Sequence, residues 1–204
     1  MDMDDLEEPR SDLETLLDGI AAMTRSTFRD NRIVLGMSDT VAWASALETY
    51  RRLRLRDKHS LYVASSWRNA RQPQVVSELR EAGYRVYDFR NPVPGNLGFS
   101  WSQIDPNWKN WSIPCYLAAL DSPEAREGYR LDYDGMRRAS AGVLVMPCGR
   151  SAHLEAGYFV GAGKPLVILL DPGTPAEPEL MYKMAQLVTT SIPDAIGLLD
   201  SRLA

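Results

Sequence analysis

From Ser60 onward, short unbroken apolar runs alternate with helical stretches, and that alternation leaves few folds open. Leu61-Tyr62-Val63, Gly142 to Met146 and Pro165 to Leu170 are strand-length runs with no polar position inside them. A strand with one wet face alternates apolar and polar residues, whereas an unbroken run is covered on both faces. Between the runs lie segments of helical period: Val75, Val76 and Leu79 before Gly83, then Ser122 to Arg138, Ala152 to Ala162, Leu180 to Ala185, and Pro193 to Leu203. Tyr84 to Phe89 and Leu187 to Thr190 read as two further strands. Five strands separated by helices predict an open, mainly parallel sheet with helices on both faces.

The first 58 residues follow another pattern. Leu13, Leu16, Leu17, Ile20 and Met23 recur at helical spacing, with Ser11 and Glu14 set as a capping box. A second helix is expected from Asp39 to Arg54, with Ala42, Ala46, Leu47 and Tyr50 on one face. Its basic end, Arg51, Arg52, Arg54, Arg56 and Lys58, suits a helix C-terminus or a contact with phosphate or a partner. The expected organisation is therefore a helical N-terminal extension over 1–58 and an α/β domain of flavodoxin/Rossmann-like type over 59–204. No apolar run of the 204-residue chain approaches the ~20 residues of a membrane span. Met1 to Pro9 is acidic and lacks the apolar core of a secretory signal. Two cysteines, Cys115 and Cys148, and two histidines argue against a disulfide framework or a Cys/His zinc site, so a cytoplasmic setting with no metal is expected. A net charge of −4 argues against a stable nucleic-acid complex or an anionic membrane surface.

In parallel sheets ligands sit beyond the carboxyl ends of the strands. That rule nominates Ser65–Asn69, Asp88–Trp111, Pro147–Glu155 and Asp171–Glu179. The third is the most pointed, because it runs from a strand end into a helix. Gly149 allows a tight turn, Ser151 is placed to cap the helix, and the free N–H groups at its start favour an anion. Arg150 either holds that anion or sits in solvent. Glu155 shares a face with Ser151 and so faces the crevice, or else it serves only the helix dipole. Asp132 lies two to three turns before the strand at Gly142, on a helix whose start returns to the strand's carboxyl end. Two carboxylates in one crevice can divide acid/base and nucleophilic work. His153 is expected to face away from Glu155 and bond locally, and Cys148 to be a small turn residue.

Three landmarks carry a resemblance. Leu61 to Arg68, followed by Arg71-Gln72, resembles the first strand and turn of nucleoside 2-deoxyribosyltransferases. Asp132-Tyr133-Asp134-Gly135-Met136 resembles their helical aspartate motif. Glu155, entered through a glycine/serine turn and followed by Gly157 and Gly163-Lys164-Pro165, resembles their nucleophile motif. The related 2′-deoxynucleoside 5′-phosphate N-hydrolases share these landmarks and carry an arginine where this chain has Arg68. The turn also loosely resembles the signature of cytokinin-releasing phosphoribohydrolases. The resemblance covers about Ser60 to Thr190.

The resemblance implies cleavage of a base–sugar bond without a cofactor. It casts Glu155 as nucleophile, Tyr62 as the residue that positions it, and Asp132 as the group that contacts the base and protonates the leaving nitrogen. Ser65, Ser66, Arg68, Asn69, Gly149, Arg150 and Ser151 would bind the substrate. Arg90, Trp101 and Asp105 in the long segment read, from the residues themselves, either as lid residues, a tryptophan stacking on the base and an aspartate or asparagine bonding its edge, or as part of a loop held down by buried aromatics. Transferases of this kind carry an aspartate where this chain has Gly149, which favours nucleotide hydrolysis over nucleoside transfer. The implied partner is a small nucleotide or nucleoside, and a homo-oligomer is expected because such enzymes often complete the site with a neighbour's residues. Three other readings compete: an NAD-cleaving effector, for example in phage defence, a deoxyribosyltransferase, and a nucleotide sensor that binds without cleaving.

Overall fold

A computed structural model of the chain describes residues 59–175 and 177–203, together with a two-stranded antiparallel pair, Phe28–Arg29 with Arg32–Ile33. The chain separates into two units, Met1–Arg54 and Leu55–Ala204. The helices expected around Leu13–Met23 and Asp39–Arg54, and the Ser11/Glu14 capping box, lie outside the described residues. The strand pair falls in the stretch read as helical. Only Asp30 and Asn31 join its strands, a connection length that hairpins favour.

In the second unit the strands are β1 Ser60–Ala64, β2 Arg85–Asp88, β3 Ala141–Val145, β4 Leu166–Leu169 and β5 Leu187–Thr189. They form one sheet in the order β2-β1-β3-β4-β5, and every neighbouring pair is parallel. The helices are α1 Gln72–Glu81, α2 Ile113–Ala119, α3 Pro123–Arg138, α4 Arg150–Gly161 and α5 Ile192–Leu203. Leu180–Met184, expected as a helix, is a short 3-10 turn. Among the described residues, no helix is long and apolar enough to cross a membrane.

Because side chains alternate across a strand, each unbroken apolar run feeds two cores at once. Leu61, Val63, Val143, Val145, Val167 and Leu169 pack on one side with Val75, Val76 and Leu79 of α1 and Ala195 and Leu199 of α5. Tyr62, Ala64, Leu144 and Ile168 pack on the other with Met136 of α3 and Ala152, Ala156 and Phe159 of α4. The second layer is close. A Cβ at Gly142 of β3 would stand 2.6 Å from the Phe159 ring, so that ring lies flat on the strand only because the position is glycine.

The strand order reverses between β1 and β3. Chain leaving β1 turns to one side and chain leaving β3 to the other, which opens a crevice at their carboxyl ends. Two arginines close the floor around it. Arg71 donates to the carbonyls of Leu170 (2.6 Å) and Thr190 (2.9 Å), tying the ends of β4 and β5 to the start of α1. Arg90 donates from one nitrogen to the carbonyls of Ser66, Trp67 and Asn69 at 2.9–3.0 Å, holding the turn after β1.

Candidate active site

The crevice holds a cleft of about 940 Å³. Its walls come from the turn after β1 (Ser65, Ser66, Trp67, Arg68), the loop after β2 (Phe89, Phe99, Ser100, Trp101, Trp108, Lys109), Asp132 of α3, and the β3–α4 turn with the start of α4 (Cys148 to His153, and Glu155). Glu155 and Asp132, distant in sequence, thus line one space.

Both carboxylates are largely out of water, which raises the cost of their charged forms. Burial, then the negative charge of Asp132, pushes Glu155 up to about 7, against a hydrogen-bonding pull from Tyr62 that lowers it. Burial pushes Asp132 up to about 6, against the hydrogen bond from Tyr87. Tyr87 Oη donates to Asp132 Oδ1 at 2.8 Å. The Tyr62 hydroxyl is fully buried and interacts with Glu155, but its alignment falls short of a formed hydrogen bond. Burial and the two carboxylates drive both phenol pKa values far above their ordinary range, so both tyrosines remain donors.

The two tyrosines are a pair. They face each other in register on β1 and β2, and their rings stack at 5.1 Å with 9° between planes. Helix α3 fits over Tyr87 because Gly135, one turn after Asp132, has no side chain; a Cβ there would come within 2.8 Å of the ring. The result is a row of groups, Glu155, Tyr62, Tyr87 and Asp132, in which strand register fixes the separation of the two donors. Tyr87 carried no sequence signal except its place on the same strand face as Tyr62. Tyr87→Phe is expected to raise the pKa of Asp132, since the donor that lowers it is gone. The limb of the pH–rate profile near 6, which Asp132 sets, should then move to higher pH, which initial rates across pH 5–9 would reveal.

The start of α4 differs from expectation. Gly149, not Ser151, is the N-cap residue, and no side chain caps the helix or places an acid in its first turn. Ser151 instead lies inside that turn and lines the cleft with Arg150. Arg68, Lys109 and Arg150 make no ion pair among the described residues, so the cleft holds three cations beside an uncapped helix start. His153 bonds locally to Gly149 O at 3.0 Å, but it also bonds the distant Tyr182 Oη at 3.0 Å and lines the cleft, which the expectation of a purely local role did not include. Cys148 is pushed up to about 11, chiefly by burial and then by Glu155, and stays a thiol.

No family model and no curated protein matches the chain. Solved structures similar to it include a 2-deoxyribosyltransferase from the psychrotolerant bacterium Bacillus psychrosaccharolyticus, at 18% identity over 71% of this chain and 95% of that one, TM-score 0.46. The CMP N-glycosidase BcmB of Clostridium botulinum is similar at 15% identity over 69% of this chain and 98% of that one, TM-score 0.36.

Three residues expected to bind substrate do other work. Asn69 is buried and donates to the carbonyls of Val145 (3.2 Å) and Pro147 (3.0 Å), bracing the β3–α4 turn from beneath. Arg90 spends one terminal nitrogen on three backbone carbonyls, leaves its buried Nε unpartnered, and lies against the Trp67 and Phe89 rings. Asp105 accepts from Trp111 Nε1 (2.6 Å) and the Asn107 amide (2.8 Å), locking the loop rather than facing the cleft. Tyr62 likewise does not line the cleft; it lies under Glu155 as a support. Ser65 lines the cleft while donating to Val145 O at 2.8 Å. Sequence reading missed α2, although Ser112 caps it and Pro114 sits in its first turn.

Proposed function

We propose that the unit from Leu55 onward is an N-glycosidase that releases the base of a nucleotide, with Glu155 as nucleophile and Asp132 as proton donor. One observation carries this reading: two half-buried carboxylates, raised to about 6 and 7 and each beside a tyrosine, share the cleft at the sheet's switch point. A carboxylate raised toward neutrality can hold a proton for a leaving nitrogen, while a second, ionised one attacks the sugar.

The steps balance as follows. The Glu155 carboxylate attacks the anomeric carbon as the carbon–nitrogen bond breaks, and the Asp132 proton passes to the departing base. The Asp132 carboxylate then takes a proton from water, whose oxygen displaces Glu155 from the sugar. Tyr62 and Tyr87 hold the two carboxylates apart and oriented. Arg68, Arg150, Ser151 and the uncapped start of α4 suit the substrate's phosphate. A smaller hollow of about 240 Å³, reached past Asp132 between Phe89 and Phe99, suits the base.

The working form carries one proton on the pair, and because Glu155 holds the higher value it is the minority form, with the proton on Asp132; the rate should follow a narrow bell between limbs near 6 and 7. Incubation with a nucleotide panel and chromatography for free base tests the activity itself, and mass spectrometry of quenched protein tests the glycosyl ester on Glu155. Tight nucleotide binding without base release would make the cleft a sensor instead.

A further inference from the structure

Beside the cleft lies a second hollow, of about 300 Å³, lined by Trp101, Trp108, Trp111, Ser112, Ile113 and Tyr116. Trp101 meets Trp111 at 5.7 Å and Tyr116 at 5.8 Å, with ring planes 77° and 70° apart. An edge-to-face contact covers a face of only one ring of each pair, and the rings that line the hollow keep part of their surface open to it. The arrangement is fixed: the Trp111 indole N–H donates a hydrogen bond to Asp105, so the one polar edge of that ring is already satisfied. What the hollow offers a ligand is therefore aromatic surface. Contiguous apolar surface open to solvent, rimmed by polar residues, is the mark of a binding groove.

Its occupant follows from its continuity with the cleft. Trp101 and Trp108 line both spaces. Lys109 stands over the Trp108 ring (5.9 Å) and faces the cleft with Arg68 and Arg150. In order, the molecule presents two carboxylates, a set of three cations and an aromatic chamber. A nucleoside monophosphate uses the first two and leaves the third empty.

We infer that the substrate is a pyrophosphate-linked dinucleotide: one nucleotide reacts at Glu155, the cations hold the linker, and the second ring system stacks in the tryptophan chamber. This rests on the glycosidase reading and names the substrate class within it.

Trp111 and Tyr116 line the chamber but not the cleft. With the full chain, wild type should release base from NAD or diadenosine diphosphate with at least tenfold higher kcat/KM than from the matching mononucleotides. Trp111→Ala and Tyr116→Ala should each raise KM for the dinucleotide about tenfold, the loss of one ring stack, with kcat held within about twofold. Mononucleotide kinetics should not change, and Trp111→Phe should restore the dinucleotide KM. Equal preference in wild type, or equal losses on both substrate classes in a variant that keeps its melting temperature, would overturn the inference. So would variants that alter the sedimentation mass and leave dinucleotide kinetics alone, since the chamber would then seat a second copy. Binding separates this inference from the activity it rests on. If no substrate loses its base, calorimetry of Glu155→Gln should still show NAD binding at least tenfold tighter than mononucleotide and weakened by Trp111→Ala; failing that, the chamber is not a ring site.

Discussion

Glu155→Gln is expected to lower base release by about 10³-fold or more, and the same variant should be more stable than wild type at pH 8. The first effect follows because an amide cannot form the glycosyl ester. The second follows from what holding the carboxylate costs. Burial, and then the Asp132 charge, raise Glu155 from the ordinary 4.5 to about 7. Below pH 4.5 the group is neutral whether the chain is folded or not. Between that pH and about 7 the unfolded chain releases a proton that the folded one keeps, so wild type loses stability as pH rises through this window. Glutamine has no such titration. The variant's advantage should be small at pH 5 and reach on the order of 2 kcal/mol by pH 8. Melting curves at the two pH values check it. Retained base release would remove Glu155 from the nucleophile's role, and a variant less stable than wild type at pH 8 would remove the electrostatic account.

The layered sheet was legible because the apolar runs have no polar interruption, and both helix layers follow from covering them twice. Glu155 was legible because it lies where a helix leaves the carboxyl end of a strand, and Asp132 because its helix runs back toward that end; spacing left the role of each open, and the resemblance singled both out. The arginines were not. Carbonyls at strand ends and turns need donors as much as any ligand does, and a guanidinium can satisfy three of them from one position. Arg90 does so, and nothing in its sequence surroundings separates that use from binding a substrate. Asp105 misled for a similar reason, since its indole partner, Trp111, lies six residues on and nothing in the sequence marks the two as a pair. Tyr87 escaped notice because its role depends on three tertiary facts together: register with Tyr62, the helix above it, and a glycine that lets the helix approach. Helix α2 escaped because nearly all of its seven residues are exposed, so no buried stripe marks it.

Asp132→Asn should slow release of a neutral base by roughly 10²- to 10⁴-fold, the usual cost of a lost proton donor. The shape of what remains is the sharper test. In wild type the alkaline limb reports loss of the last proton from the carboxylate pair. Asparagine has no proton to lose, so that limb should vanish. Its neutrality also removes the charge that helps raise Glu155, so the one limb that remains is the ionisation of Glu155, at a pH below its wild-type value of about 7. A bell should thus become a rise to a plateau extending past pH 8. The size of the loss should depend on the leaving group. A base that departs as a neutral molecule from a cationic N-glycoside, such as a pyridinium, needs no proton, and its release should fall only a few-fold. A base held in a neutral N-glycoside, such as adenine, must be protonated as it leaves and should show the full loss. Comparing the two leaving groups in wild type and Asp132→Asn reads the acid's role without reference to binding. Equal losses for both would mean that Asp132 acts by holding the substrate in place, and the proton would then have to come from elsewhere in the cleft.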